Sequence, residues 1–375
     1  MTAPSLDAVN AALATVNDPE IHRPITDLDM VGDVAIADDG AVKVQILLTV
    51  AGCPMKTTIS NAVEAALLKV EGVTSVTVEL AAMTEEQRRA LREKLQGVNV
   101  ERDIPFNRPG NRTIVYAVTS GKGGVGKSSV TVNLAVALSA RGYKVGILDA
   151  DIYGHSIPPM LGSSNPPTKV EDMIMPPQAQ GIKIISIKQF TAGNAPVVWR
   201  GPMLHRALQQ FLTDVYWGDL DYLLLDLPPG TGDIALSIPQ LLPKSELLIV
   251  TTPQAAAAEV AERSGMMAVQ TKQKVSGVIE NMSWMEMPDG SKVEMFGSGG
   301  GLSVAMDLTR ALGYRIGVLG QVPMDVRLRE GGDSGKPIVT THPESPAAKT
   351  FYDIADQLIK QKESLVGKPL GLNVD

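Results

Sequence analysis

The sequence predicts an α/β protein: a parallel sheet covered by helices on both faces, preceded by a small α+β domain. Three observations carry that prediction. From about residue 113 onward, short and nearly continuous apolar runs recur at Thr113–Thr119, Val145–Leu148, Ile182–Ile187, Tyr222–Leu225, Leu247–Thr251, Val275–Ile279 and Ile316–Leu319, with helical segments between most of them. Strands buried on both faces read as unbroken apolar runs, and intervening helices supply the parallel crossovers. Before about residue 95 the rhythm differs, with shorter, alternating strand patterns. Finally, a glycine-rich loop joins the first apolar run to the helix that follows it.

The elements follow in order. Leu6, Val9, Leu13 and Val16 fall at helical spacing, and Val42, Val44, Ile46 and Leu48 alternate as in a half-buried strand. Ile59, Val63, Leu67 and Val70 share a second helical face, and Val76, Val78 and Leu80 alternate again. Thr84 followed by Gln87 forms a capping box opening a polar helix through Lys94. On that helix Arg88, Arg89, Arg92 and Lys94 interleave with Glu85, Glu86 and Glu93, the pattern of a solvated face. The expected boundaries are a domain over 1–95, a Gly-, Asn- and Pro-bearing linker over 96–112, and a second domain over 113–375. The stretch Pro158–Gly181 holds three Pro-Pro pairs and reads as a mobile or partner-facing loop.

Composition narrows the function. A chain of 375 residues has room for two or three domains and needs no covalent staple. The net charge of −7 argues against a nucleic-acid or anionic-membrane partner. One cysteine excludes an intrachain disulfide and any cysteine-rich metal site built by a single chain. The start, MTAPSLDAVNAALATV, lacks the basic-then-apolar pattern of a secretory signal, and no apolar run reaches the roughly 18 residues of a membrane span. A cytoplasmic protein is expected.

The sharpest motif is Gly121-Lys122-Gly123-Gly124-Val125-Gly126-Lys127-Ser128, which satisfies G-x-x-x-x-G-K-[ST] between a strand and a helix bearing Val130, Leu134 and Leu138 on one face. Glycines let successive backbone N–H groups turn toward phosphate oxygens, and the helix N-terminus adds positive potential. Lys127 is placed to reach the β- and γ-phosphates, the Ser128 hydroxyl to ligate Mg²⁺, and Ser129 to complete the binding turn. Two further strands end in carboxylates: Val145–Leu148 leads into Asp149-Ala150-Asp151, and Tyr222–Leu225 into Asp226. At the C-terminal ends of parallel strands these face the crevice of the phosphate loop. Asp226 is the candidate Mg²⁺ holder, and Asp149 or Asp151 would ligate the metal or orient the attacking water. The following Leu227-Pro228-Pro229-Gly230-Thr231-Gly232-Asp233 suits a switch that senses the γ-phosphate.

With Lys122 directly after the first glycine, the loop resembles the deviant Walker A of the ParA/MinD/NifH group of ATPases. That resemblance implies that Lys122 reaches across a dimer to the nucleotide of the other subunit. Asp149–Gly154, Trp199–Met203, Asp226–Asp233, Thr252-Pro253-Gln254, Glu280-Asn281-Met282-Ser283 and Phe296–Gly300 together resemble the Mrp/ApbC family of iron–sulfur cluster carrier ATPases, over essentially all of residues 113–360. Asp18-Pro19-Glu20 and Leu48–Pro54 resemble the small domain of SufT- and PaaD-type iron–sulfur maturation proteins. The resemblance implies a homodimer that binds ATP and Mg²⁺ between subunits, hydrolyses ATP slowly, and passes a cluster to apo iron–sulfur client proteins. It also implies that Asn281 contacts the adenine.

The chain departs from that family at one place. A C-x-x-C pair usually follows the Glu-Asn-Met-Ser motif, and here those positions read Met287-Pro288-Asp289-Gly290, a turn sequence. The one thiol is Cys53, in Gly-Cys-Pro ahead of a helix, where it reads either as a cluster ligand aided by Asp18 and Glu20 or as a small buried turn residue. His22, His155, His205 and His342 are scattered without ligand spacing. Two other functions compete with the carrier. One is a ParA/MinD-like positioning ATPase, which would need a basic surface that the acidic balance and the Gly- and Pro-broken tail after Lys362 do not offer. The other is an ATP-switched scaffold without metal.

Overall fold

The computed structural model describes residues 3–49, 55–96, 103–151, 154, 156–190 and 201–363. The chain divides into two compact units, one formed within Met1–Asp103, Asn165–Pro177 and Asp214–Tyr216, the other within Ile104–Ser164, Gln178–Thr213 and Trp217–Asp375.

The first unit contains α1 (Leu6–Leu13), β1 (Val31–Ile36), β2 (Ala41–Leu48), α2 (Lys56–Leu67), β3 (Ser75–Ala82) and α3 (Glu85–Gln96). β1 runs antiparallel and β3 parallel to the central β2. A parallel neighbour requires a crossover, and α2 provides it. The alternation in β2 buries Val42, Val44 and Ile46 on one face, where Val9, Leu13, Ile59, Val63 and Leu67 of the helices meet them. The Ser5 side chain accepts from the Ala8 N–H and caps α1. At α3 the Thr84 N–H donates to Gln87 Oε1 at 2.9 Å and the Gln87 N–H to Thr84 Oγ1 at 3.2 Å, the reciprocal box the sequence predicts.

The polar face of α3 is less solvated than its charge pattern suggests. Arg88 pairs with Glu171, Arg92 with Asp172 and Lys94 with Asp29, while Leu91 is buried in the core. Glu171 and Asp172 belong to the segment expected to be a mobile or partner-facing loop. It forms a hairpin, β6 (Thr168–Val170) against β7 (Met173–Met175), and Val170, Met173 and Met175 join the first unit's core. The prolines frame this hairpin, whose apolar partners lie far off in sequence. The block from residue 113 is therefore interrupted, and 165–177 and 214–216 group with the first unit.

The second unit continues the numbering with β4 (Ile114–Ser120), α4 (Lys127–Ala140), β5 (Val145–Asp149), α5 (Ile157–Met160), β8 (Gln178–Ala179), β9 (Ile182–Ser186), α6 (Gly201–Thr213), β10 (Tyr222–Asp226), α7 (Asp233–Leu241) and β11 (Glu246–Thr251). It ends with α8 (Ala255–Thr271), β12 (Lys274–Glu286), β13 (Lys292–Val293), α9 (Gly300–Leu312), β14 (Val318–Met324), α10 (Val326–Ser334), α11 (Ile338–Thr341) and α12 (Pro346–Glu363). The sheet order is β13-β12-β11-β4-β10-β5-β9-β8, with β14 beside β12. Its body is parallel, as the apolar runs predict, but β8 and β13 are antiparallel, so the sheet is mixed at its margins. The helix after the phosphate loop, expected to bury one face, is buried almost all round from Val130 to Leu138. It lies under α12, whose Phe351, Ile354 and Leu358 share its core. Asp226 stands in register with Val118 of β4 and with Asp149 of β5, which brings the ends of three strands to one crevice. Among the described residues no helix is long and apolar enough to cross a membrane.

Candidate functional site

The loop between β4 and α4 turns on left-handed glycines. Gly124 and Gly126 have φ of +80° and +79°, a conformation that strains other residues. A Cβ on Gly126 would stand 2.2 Å from Asn281 Nδ2. Gly126 also precedes the first turn of α4 without a side-chain cap, which leaves that turn's N–H groups available to an anion. The Ser120 hydroxyl donates to the Lys122 carbonyl at 3.1 Å, and the Gly230 N–H donates to the Ser120 carbonyl at 2.8 Å. The second contact fastens the 227–233 segment to the loop's root.

Beneath the loop, Lys127 Nζ lies 2.7 Å from Asp226 Oδ2 and 3.5 Å from Asp151 Oδ2, with all three residues buried. Ser128 Oγ donates to Asp226 Oδ2 at 2.6 Å and Thr131 Oγ1 to Asp226 Oδ1 at 2.8 Å. A buried carboxylate needs such partners, and Asp226 takes them from one turn of α4. Thr131 was not singled out in the sequence; the signal was its place one turn after Lys127. Asp149 stands one step back. Its Oδ2 accepts from Ser186 Oγ at 2.9 Å and its Oδ1 from the Asp151 N–H at 3.2 Å. Burial, followed by the Asp226 charge, pushes its pKa up from 3.8 to about 7. Lys127, Ser128, Asp151 and Asp226 thus gather as the sequence predicts, and Asp149 reaches them through its neighbours.

Lys122 turns to the other side, where its Nζ donates to Gln254 Oε1 at 3.0 Å. Asn281 Nδ2 donates to the Val125 carbonyl at 2.9 Å, and its Oδ1 is buried with no hydrogen-bond partner among the described residues. Asn281 shares with Gly126, Ser129, Met282, Met324 and Arg329 the wall of a cavity of about 720 Å³. Apolar walls with a few polar groups beside a phosphate loop suit a flat heteroaromatic base.

The stretch after Glu280–Ser283 forms a closed hairpin turn. The Met287 N–H donates to the Ser291 carbonyl, the Gly290 N–H to the Met287 carbonyl, and Gly290 has φ of +80°. In the first unit, Asp18 is buried and accepts from the N–H groups of Glu20 and Ile21 at 2.9 and 2.8 Å. Burial and then the Asp18 charge raise Glu20 to about 7. Cys53, His155, Ile152, Tyr153, Trp199, Arg200 and the tail from 364 lie outside the described residues. Among the described residues no group of three or more His, Cys, Asp or Glu side chains is placed to hold a metal ion.

Comparison with known proteins agrees with this geometry. The family model described as NUBPL iron-transfer P-loop NTPase matches residues 111–359, and that of an iron–sulfur cluster assembly protein matches residues 6–80. An iron–sulfur cluster carrier protein of Mycobacterium tuberculosis is 57% identical over 366 residues, covering 98% of this chain and 96% of that protein. One of Bacillus subtilis is 37% identical over 94% of this chain and 97% of its own length. Among solved structures, a nucleotide-binding protein of Archaeoglobus fulgidus, in complex with ADP and with cobalt found in it, is 37% identical, covers 64% of this chain and 91% of its own, and superposes with a TM-score of 0.53. The chain belongs to the NUBPL-type iron-transfer P-loop NTPase family, whose curated relatives are iron–sulfur cluster carrier proteins.

Proposed function

We propose that this protein binds and slowly hydrolyses ATP with Mg²⁺ as a homodimer, and delivers iron–sulfur clusters to apo client proteins in the cytoplasm. The observation that carries the nucleotide half is the cluster of buried Lys127 and Asp226 with half-buried Ser128 under a left-handed glycine loop. The residues fit ATP and Mg²⁺. The uncapped first turn of α4 would offer its N–H groups to the phosphates, and Asn281 Oδ1 is an acceptor matched to an exocyclic amine. Mg²⁺, held there, would neutralise phosphate charge.

The chain's own part follows from the geometry. Lys127 pairs with Asp226 in the nucleotide-free protein; with nucleotide bound its ammonium would serve the phosphates, and Ser128 and Asp226 would be the residues to hold the metal. Asp151 is close enough to Lys127 to hold its stem end in place and, with Asp149, to orient the attacking water. Lys122 must leave Gln254 before it can stabilise charge on the nucleotide of a second subunit.

The cargo site departs from the family pattern. A methionine thioether at 287 and a glycine at 290 do not replace thiolates, and their turn is closed by its own hydrogen bonds. Cys53 is the one thiol of the chain, so a dimer offers two, and further ligands come from small thiols, carboxylates or the client. The test loads the protein anaerobically and mixes it with an apo-enzyme that requires an iron–sulfur cluster. Recovery of client activity that Lys127→Ala fails to support in the presence of ATP is expected. ATP binding without any transfer would favour the metal-free scaffold.

A further inference from the structure

Midway along β12, one residue before Asn281, stands a buried carboxylate that the proposed chemistry does not use. Glu280 is 1% exposed. Its Oε1 accepts from Ser283 Oγ at 2.9 Å and from Gln321 Nε2 at 2.7 Å, and its Oε2 accepts from the Gly301 N–H at 2.6 Å. All three donors are neutral, and among the described residues no ion pair reaches it. An ionised carboxylate is costly to bury without a cation, so a polar cluster of this kind marks a place where geometry matters more than economy of folding.

What the carboxylate fixes is the path of 281–283. β12 and β14 lose their regular register between Asn281 and Met285, and Met282 adopts φ of +58°, a left-handed conformation that a methionine holds only under constraint. Ser283 bonds both the Glu280 carbonyl and its side chain, which ties the turn to its root. Asn281, in the wall of the cavity, leaves that turn toward the Val125 carbonyl, with its Oδ1 buried and, among the described residues, unpaired. We propose that Glu280 is a positioning residue for the nucleotide base: it holds the 281–283 turn so that Asn281 Oδ1 is set to receive the base, and it contributes nothing to binding of the phosphates.

This inference rests on reading the cavity as the base site. The test titrates the full chain with MgATP and, separately, with inorganic tripolyphosphate, which engages the loop but has no base. Glu280→Ala is expected to weaken ATP about tenfold while tripolyphosphate stays within about twofold, and Glu280→Gln to recover most of the loss, because the amide of Gln321 and the hydroxyl of Ser283 can turn to suit it. Glu280→Ala combined with Asn281→Ala is expected to bind ATP no more weakly than Asn281→Ala alone, since both act on one contact. Should Glu280→Ala fail to fold, Ser283→Ala carries the same comparison, with ATP weakened about threefold and tripolyphosphate unchanged. Unchanged ATP affinity, or equal loss for both ligands, would overturn the assignment. A wild-type chain that binds neither ligand would instead overturn the reading of the site as nucleotide-binding.

Discussion

Lys122 Nζ is bonded to Gln254 Oε1 at 3.0 Å within one chain, across 132 positions of sequence. Gln254 immediately precedes α8 and uses its side chain on Lys122 rather than on the helix's own N–H groups. In the proposed dimer, Lys122 would have to give up this intrachain bond before it could serve the neighbouring subunit. Lys122→Ala is expected to bind ATP within about threefold of the wild type but to hydrolyse it at least about tenfold more slowly, because the lost charge acts only on the transition state. Single-turnover hydrolysis beside equilibrium binding separates the two effects. Normal turnover would remove the deviant-loop assignment.

Lys127 holds two buried carboxylates, so its loss acts on stability and binding together. Lys127→Ala leaves Asp226 and Asp151 without their cation. The nucleotide-free protein is expected to lose about 3 kcal/mol of stability, read by denaturant unfolding of the second unit. ATP binding by calorimetry should disappear in the same variant.

Gly126→Ala should be as damaging as loss of the lysine, for a steric reason. The new Cβ meets Asn281 Nδ2 at 2.2 Å and the backbone there has φ of +79°. Binding of MgATP is expected to fall at least about tenfold, whereas Gly123→Ala, where nothing lies within 4 Å of the added Cβ, should be much milder.

The pH dependence follows from Asp149. Its pKa is raised by burial, then by Asp226, from 3.8 to about 7. Between those values the folded chain keeps a proton that the unfolded carboxylate has released. Its contribution to stability is complete below about pH 4, falls as pH rises, and is lost above about 7. Glu20 acts in the same direction in the first unit, from 4.5 to about 7. The unfolding midpoint of the metal- and nucleotide-free protein should therefore drop between about pH 5 and 8, and Asp149→Asn should flatten that slope. A midpoint that rises over this range would contradict the burial argument.

The parts of this molecule that were legible in its sequence are those set by local spacing. The phosphate loop, the strand ending in Asp226, the alternation of Val42, Val44 and Ile46 and the Thr84–Gln87 box each depend on neighbours within a few residues. What escaped depends on distant partners. The 168–175 hairpin is ordered by apolar residues of the first unit's core, and Lys122 finds Gln254 only after β11 is placed beside β4. Glu280 lies in the Glu280–Ser283 motif, yet two of its hydrogen-bond donors, Gly301 and Gln321, are 21 and 41 positions away. The antiparallel β13 is too short to leave a periodic signal.

In the proposed carrier, Cys53 holds the cargo in place of the usual cysteine pair. The direct measurement is iron and sulfide analysis, with visible absorption, of the full-length protein after anaerobic reconstitution, beside Cys53→Ala. The account predicts bound iron and sulfide with charge-transfer absorption in the wild type and their loss in Cys53→Ala. Wild-type protein that binds no iron, or a variant that binds as much as the wild type, would contradict it.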